Sequence, residues 1–290
     1  MTKRRTSILL PCACALAFAI VTAEETPPVP APEPAPKPLR VTYIGNEGFM
    51  IDAGEVKVLI DALYRTGVPG YVVIPEEQRR RLETAQPPFD GVTLILASHS
   101  HPDHFDPGAV LEYLKASPKT VFLSTPQAIE LMRALPGFGA VQGRARAELP
   151  EEGKRVRAER PGLVLKVLNL PHGGEQEVEN LGFILETGGV SILHVGDTSL
   201  ALKDSQFSRI GQESIDLTFL PYWYLTEGNR ESLEVIVHGR RIVAMHLPPP
   251  SDPEGLLKAE GGFDKLAQDI ERIYPNVVVF PKEMETRELP

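Results

Sequence analysis

The sequence predicts an α/β fold in which sheets and helices stack in layers, and three observations carry that prediction. Strand-length apolar runs at residues 92–97 and 121–124 flank a helical pattern at 107–116, giving a strand, helix, strand unit. Residues 155–195 switch to strand-like alternation, with runs at 163–170, 181–186 and 190–195. Two successive blocks of strands, each ending in helices, fit a sandwich better than a single parallel sheet. With 290 residues, 42% of them hydrophobic and 24% charged, the chain can bury a sizeable core and is unlike a disordered one.

The N-terminal segment has the layout of an export signal. Lys3, Arg4 and Arg5 precede an apolar stretch at 8–21, and the small residues of Val21-Thr22-Ala23 follow it, which predicts cleavage after Ala23. That stretch is short for a bilayer, so no stable membrane span is expected after cleavage. Residues 24–38 contain seven prolines and read as an extended tether. The expected organisation is therefore a signal peptide at 1–23, a Pro-rich linker at 24–38 and one domain at 39–290, in a periplasmic or secreted protein. Both cysteines, Cys12 and Cys14, fall in the signal, so a metal site in the mature chain must use His and carboxylates. The formal charge of -9 becomes -12 when the signal leaves with its three basic residues and no acid. Such a surface repels phosphate backbones and argues against a nucleic-acid partner.

Within the domain, residues 39–52 and 56–62 read as two strands joined through Ala53-Gly54-Glu55 as a tight hairpin. A short polar helix is expected near 75–83. Thr125-Pro126 is a helix start, with Ile129, Leu131, Met132 and Leu135 as its apolar stripe. Thr187-Gly188-Gly189 is a hairpin turn between the last two strands of the second block. Strands at 215–220, 242–246 and 277–280 and a helix at 264–274 complete the set. Residues 144–160 hold six Lys or Arg and four Glu, and read as a solvated hairpin.

Three of the seven histidines fall within six positions, in Ser98-His99-Ser100-His101-Pro102-Asp103-His104. Residues two apart on an extended chain point to the same side, so His99 and His101 can converge on one ion, while Pro102 turns the chain to bring Asp103 and His104 round. Further candidates are His172, Asp197 and His246, and each of them also follows an apolar strand. Strand ends tipped with His and Asp are how a sheet presents a preorganised site at one edge. Imidazole and carboxylate without thiolate suit Zn first, and Mn or Fe also. Gly196 before Asp197, and Gly173 after His172, are expected to permit sharp turns. Asp61 is a candidate partner for the second nitrogen of a ligating imidazole. His194 is a candidate for a place near the site, His238 reads as a surface turn, and the loop from Gly45 to Phe49, the segment from Tyr64 to Pro88 and Tyr222 to Tyr224 are candidate pocket walls.

The order His-x-His-x-Asp-His, then His, then Gly-Asp, then His resembles the metallo-β-lactamase superfamily over residues 39–280. The opening Val41-Thr42-Tyr43-Ile44-Gly45-Asn46-Glu47-Gly48-Phe49 and Val58-Leu59-Ile60-Asp61 are similar to its lactonase-like and phospholipase-like branch. The resemblance implies a four-layer αββα sandwich. It also implies one metal held by His99, His101 and His172, a second held by Asp103, His104 and His246, and Asp197 bridging the two. Asp103 and Asp197 are then the catalytic carboxylates. Lactonase-like members often carry His after the first-strand Gly, where this chain has Asn46. Two divalent ions against two carboxylates leave a positive site even with a bridging hydroxide, which lowers the pKa of bound water and stabilises an oxyanion. The expected function is an exported hydrolase that uses a dinuclear metal-bound hydroxide on an ester, lactone or phosphodiester bond of a small or lipid-like molecule. An iron-dependent redox enzyme of the same fold and a β-lactamase remain the alternatives at this point.

Overall fold

The computed structural model describes residues 38–174, 177–199, 210–237 and 240–289. The predicted signal peptide, all but the last residue of the linker, and His238 lie outside the described residues. Two seven-stranded sheets form the centre. The first runs in the order β14 (Thr286–Leu289), β1 (Leu39–Gly45), β2 (Gly48–Asp52), β3 (Lys57–Ile60), β4 (Leu94–Leu96), β5 (Val121–Ser124) and β6 (Ala145–Ala147). The second runs β13 (Val277–Val279), β12 (Arg241–Met245), β11 (Leu217–Pro221), β10 (Val190–His194), β9 (Leu181–Thr187), β8 (Leu163–Asn169) and β7 (Arg155–Arg160). Helices α1 (Glu76–Glu83), α2 (Pro107–Ala116) and α3 (Pro126–Arg133) bury Leu82, Val110, Leu114 and Met132 with Leu59, Ile95 and Phe122 of the first sheet. Helix α4 (Arg230–Val237) follows β11, and α5 (Phe263–Ile273) buries Phe263, Ile270 and Ile273 with the second sheet. The result is the four-layer αββα sandwich expected.

The core between the sheets is aromatic at its centre. Phe49 of β2 meets Phe219 of β11 edge-on at 4.7 Å and Phe280 at 5.9 Å. All five residues of β2 and of β11 are buried, which is why these strands read as continuous apolar runs without alternation. The predicted start at Thr125 holds, since Thr125 caps α3 through Ala128 at 3.2 Å, and Asp106 caps α2 in the same way by accepting from the Ala109 N–H at 2.7 Å.

Three readings change. Residues 39–52 form two antiparallel strands, because the chain reverses at Asn46-Glu47, where Asn46 takes a left-handed φ of 50°. Residues 144–160 are two charged edge strands of different sheets, β6 and β7, and their Arg and Glu blunt exposed edges that would otherwise pair with other chains. Gly173 is outside the left-handed region; Gly174, with φ 89°, makes that turn. Among the described residues no helix is long and apolar enough to cross a membrane.

Candidate metal centre

Strand polarity sets where the site lies. β3, β4 and β5 run parallel, and β1 shares their direction because it is antiparallel to β2, which is antiparallel to β3. By the same logic β8, β10, β11 and β12 share one direction in the second sheet. Asn46 follows β1, Asp61 follows β3 and the His99 to His104 loop follows β4. His172 follows β8, Asp197 follows β10 and His246 follows β12. The sheets are tied together at this edge by hydrogen bonds from Leu181 N–H to the Ser98 carbonyl (2.9 Å) and from His246 N–H to the Asn46 carbonyl (3.0 Å). Segments 171–173 and 197–199 also pair directly, with Gly173 N–H donating to the Asp197 carbonyl at 2.7 Å.

All seven predicted residues come together. His99, His101, His172 and Asp197 form one group able to hold an ion, and Asp103, His104 and His246 form another. In the second group, Asp103 Oδ2 lies 3.7 Å from His104 Nε2 and 3.6 Å from His246 Nε2. Asp197 Oδ2 lies 3.6 and 3.7 Å from the same two nitrogens. Ligand atoms on one tetrahedral Zn ion stand roughly 3.3–3.6 Å apart for bonds of about 2.0–2.2 Å, so each of these four separations is close to that of two ligands on one ion. His104 Nε2 is buried without a hydrogen-bond partner, as a lone pair aimed at a cation is. The residues present therefore fit a divalent ion.

Neighbouring groups fix the tautomers. Asp61 accepts from the Ser98 N–H (2.6 Å), the Ser98 hydroxyl (2.6 Å) and His104 Nδ1 (3.1 Å). Because the hydroxyl proton goes to Asp61, Ser98 Oγ accepts from His99 Nδ1 at 2.9 Å. One carboxylate thus holds the proton on Nδ1 of two histidines and leaves both Nε2 lone pairs for a metal. Asn46 Nδ2 donates to Asp103 Oδ2 at 3.1 Å and to its carbonyl at 3.3 Å, so the position that carries His in lactonase-like relatives here orients a carboxylate. His194 is fully buried, accepts from Gly196 N–H at Nδ1 and donates from Nε2 to the Glu47 carbonyl, both at 3.3 Å. It joins the Asp197 turn to the β1–β2 turn rather than facing substrate. Gly196 sits at φ 58°, and a Cβ there would meet Asn180 Oδ1 at 2.5 Å and Ser98 Cβ at 2.6 Å.

Charge follows from this crowding. Burial pushes the His99 imidazole well down, helped by His104, His101 and His172, and burial likewise lowers His246. For His104 burial is outweighed by Asp197, Asp61 and Asp103, and its pKa rises to about 9. Burial works to raise Asp197, but His104 and His246 hold it below the usual carboxylate range. Burial, with Asp197 and Asp61 nearby, raises Glu47 well above that range.

The model of the beta-lactamase superfamily domain matches residues 40–246. The chain belongs to the beta-lactamase superfamily. A UPF0173 metal-dependent hydrolase of Heliobacterium modesticaldum is 30% identical over 219 residues, covering 72% of this chain and 82% of that protein. This superfamily member therefore also belongs to the UPF0173 metal-dependent hydrolases. Another UPF0173 metal-dependent hydrolase, from Thermococcus onnurineus, is 27% identical over 231 residues, or 77% of this chain and 92% of the relative. The fold is similar to that of a metallo hydrolase from Ignicoccus hospitalis, with TM-score 0.56, 19% identity, and 88% of this chain and all of that one covered.

Within this superfamily member, Glu47 and Tyr71 lie in the segments expected to wall the pocket, but no motif singles either of them out. Glu47 is fully buried against the site, and the only signal for it is an acid set between Asn46 and Gly48 in an otherwise apolar hairpin. Tyr71 comes from a loop without periodicity, and its ring lies 4.5 Å from the His246 ring. Trp223 packs on His246 at 4.7 Å and is half-buried, as a pocket wall requires. Tyr224 instead turns inward and donates to the Thr198 carbonyl.

Proposed function

We propose that this metal-dependent hydrolase of the superfamily is an exported enzyme whose dinuclear centre cleaves an ester, lactone or phosphodiester bond in a small or lipid-like substrate. The observation that carries the reading is the position of Asp197 Oδ2. It lies 4.0 and 3.8 Å from Nε2 of His99 and His172, and 3.6 and 3.7 Å from Nε2 of His104 and His246. An oxygen so placed between two sets of imidazole lone pairs is where a carboxylate shared by two cations belongs. His99, His101 and His172 on one side, and Asp103, His104 and His246 on the other, with Asp197 between, would hold two ions, Zn the first candidate and Mn or Fe the others, which would supply positive charge for an oxyanion and lower the pKa of a water nucleophile.

The protein's part is positioning. Asp61 and Ser98 keep the protons of His104 and His99 on Nδ1, and Asn46 aims Asp103. Asp103 and Asp197 are the carboxylates in contact with the reacting centre. Tyr71 and Trp223 stand over His246 as an aromatic rim, suited to seat the apolar part of a substrate and to exclude water. No Ser or Cys nucleophile is needed. The support for export is the basic, apolar, small-residue pattern of residues 1–23 with the proline-rich stretch behind it.

The test is a parallel assay of aryl esters, lactones, bis-aryl phosphodiesters and a chromogenic cephalosporin, with Zn, Mn and Fe in turn. Turnover of an ester, lactone or phosphodiester is expected. No turnover, or useful turnover of the cephalosporin alone, overturns the reading. For export, mass spectrometry of the periplasmic or secreted fraction should find an N-terminus at or near Glu24, and intact Met1 in the cytosol would contradict it.

A further inference from the structure

Glu47 has a chemistry that neither the motif nor the reading above uses. Its side chain is fully buried, neither carboxylate oxygen receives a hydrogen bond, and the carboxyl can bond to Asp197 only by donating its own proton. Its backbone is held from two sides, the carbonyl accepting from His194 Nε2 and the preceding carbonyl from His246 N–H, so the side chain is delivered into the centre by fixed neighbours. One of its oxygens lies within 4.8 Å of ligand atoms of both Asp197 and His246. Oε2 is 3.7 Å from His104 Nδ1, but that nitrogen is committed to Asp61 at 3.1 Å. Among the described residues no Lys or Arg forms an ion pair with it. A buried carboxyl must be paired, hydrogen-bonded or bound to metal, and Glu47 can meet that need either as an acid donating to Asp197 or as a carboxylate on a cation.

We propose that Glu47 is a ligand of the second ion, and that this third carboxylate gives the two metal positions different preferences. The inference rests on the dinuclear reading above. The first position, with His99, His101, His172 and Asp197, is rich in nitrogen and has the four donors that tetrahedral Zn takes. The second has Asp103, His104 and His246, and His246 is shared with a group that adds Asp197 and Glu47, so that an ion held by both groups would meet three carboxylates. Oxygen-rich, higher-coordinate sites favour hard ions such as Mn²⁺, and also Fe²⁺, relative to Zn²⁺. Three carboxylates also offset more of the charge of two divalent ions than Asp103 and Asp197 do alone.

The test compares the full chain with Glu47→Gln, each stripped of metal and reloaded from equimolar Zn²⁺ and Mn²⁺, with both metals counted by elemental analysis. Gln keeps the shape and presents an N–H toward Asp197, so a side chain that acts there only as a hydrogen-bond donor survives the change, whereas a ligand does not. The wild type is expected to hold Zn and Mn together, and Glu47→Gln to lose at least tenfold in its Mn to Zn ratio. An unchanged ratio in the folded variant overturns the inference. Should the variant fail to fold, the Co²⁺-loaded wild type decides. One ion with the weak visible bands of five or six coordination supports the proposal, and two with intense tetrahedral bands overturn it. Protein that takes up no ion in either position overturns the dinuclear reading itself, and so is told apart from two ions bound without regard to Glu47.

Discussion

Asp61→Asn is the sharpest perturbation of this centre, because it keeps volume and changes only who donates. The carboxylate accepts three hydrogen bonds, from Ser98 N–H, Ser98 Oγ and His104 Nδ1, at 2.6, 2.6 and 3.1 Å. A carboxamide has one acceptor oxygen. If that oxygen keeps the Ser98 N–H, the amide NH₂ faces Ser98 Oγ and His104 Nδ1. His104 then carries its proton on Nε2, where the metal needs a lone pair, and Ser98 Oγ, now receiving a proton, turns its own toward His99 Nδ1 and drives the same change there. If the amide flips, its NH₂ meets the Ser98 N–H and that backbone bond is lost. Losing an orienting partner of a metal-bound His costs ~10–100-fold in affinity. Asp61→Asn should therefore weaken both ions by about that factor each, or ~1.4–2.7 kcal/mol per ion. Ser98→Ala releases only His99, so it should weaken the first ion and spare the second. Competition with a chromophoric chelator, read for the first and second equivalents, measures both. Wild-type affinity for both ions in Asp61→Asn, or equal damage to both ions in Ser98→Ala, would refute the tautomer argument.

Three further outcomes follow from the geometry. Asp197→Ala removes the oxygen shared by four histidines, so metal content should fall below two ions per chain and activity by more than ~100-fold, beyond the loss of an orienting neighbour, with the circular dichroism spectrum retained. Gly196→Ala forces a Cβ to within 2.5–2.8 Å of Asn180 and Ser98 at φ 58°, and the left-handed and overpacking costs together should lower stability by ~2–5 kcal/mol in denaturant titration; an unchanged midpoint would show that the turn relaxes. Trp223→Ala strips one side of the aromatic rim, so KM for an apolar substrate should rise ~5–30-fold with kcat little changed, while a fall in kcat alone would place Trp223 elsewhere in the reaction.

What was legible in the sequence is what repeats or clusters. The His99 to His104 run, the apolar runs of β4, β5 and β8 to β13, and the capped starts of α2 and α3 carry local signals that tertiary structure leaves in place. The misses share a physical cause. β14 has one buried residue, Leu289, and pairs with β1 only after the chain returns from the far end, so no periodicity marks it. β6 and β7 are charged edges, where exposure erases the strand pattern. Ser98 stands between Ala97 and His99 with no sequence signal of its own, yet it links the Asp61 carboxylate to His99, a role set by the proximity of β3 to β4. Asn46 was noticed as a departure from a family pattern, and only the approach of the Asp103 loop to the β1–β2 turn shows what it does.

Three of the residues at the centre also break a backbone rule. Asn46, Asp61 and His246 take left-handed φ values of 50°, 47° and 58°, conformations that cost an L-residue ~1–3 kcal/mol and persist only where the surroundings over-determine them. Asn, Asp and His are the residue types that tolerate this region best. Each of the three stands immediately after the last residue of a strand, β1, β3 or β12. Each strain is also answered by a partner across the edge: the Asn46 carbonyl takes the His246 N–H, and the Asp61 carboxylate takes the Ser98 N–H. Those partners are fixed in turn by β2 and β11, which are buried throughout and packed through Phe49 and Phe219. The sandwich core therefore supports the strained edge on which the seven candidate ligands converge.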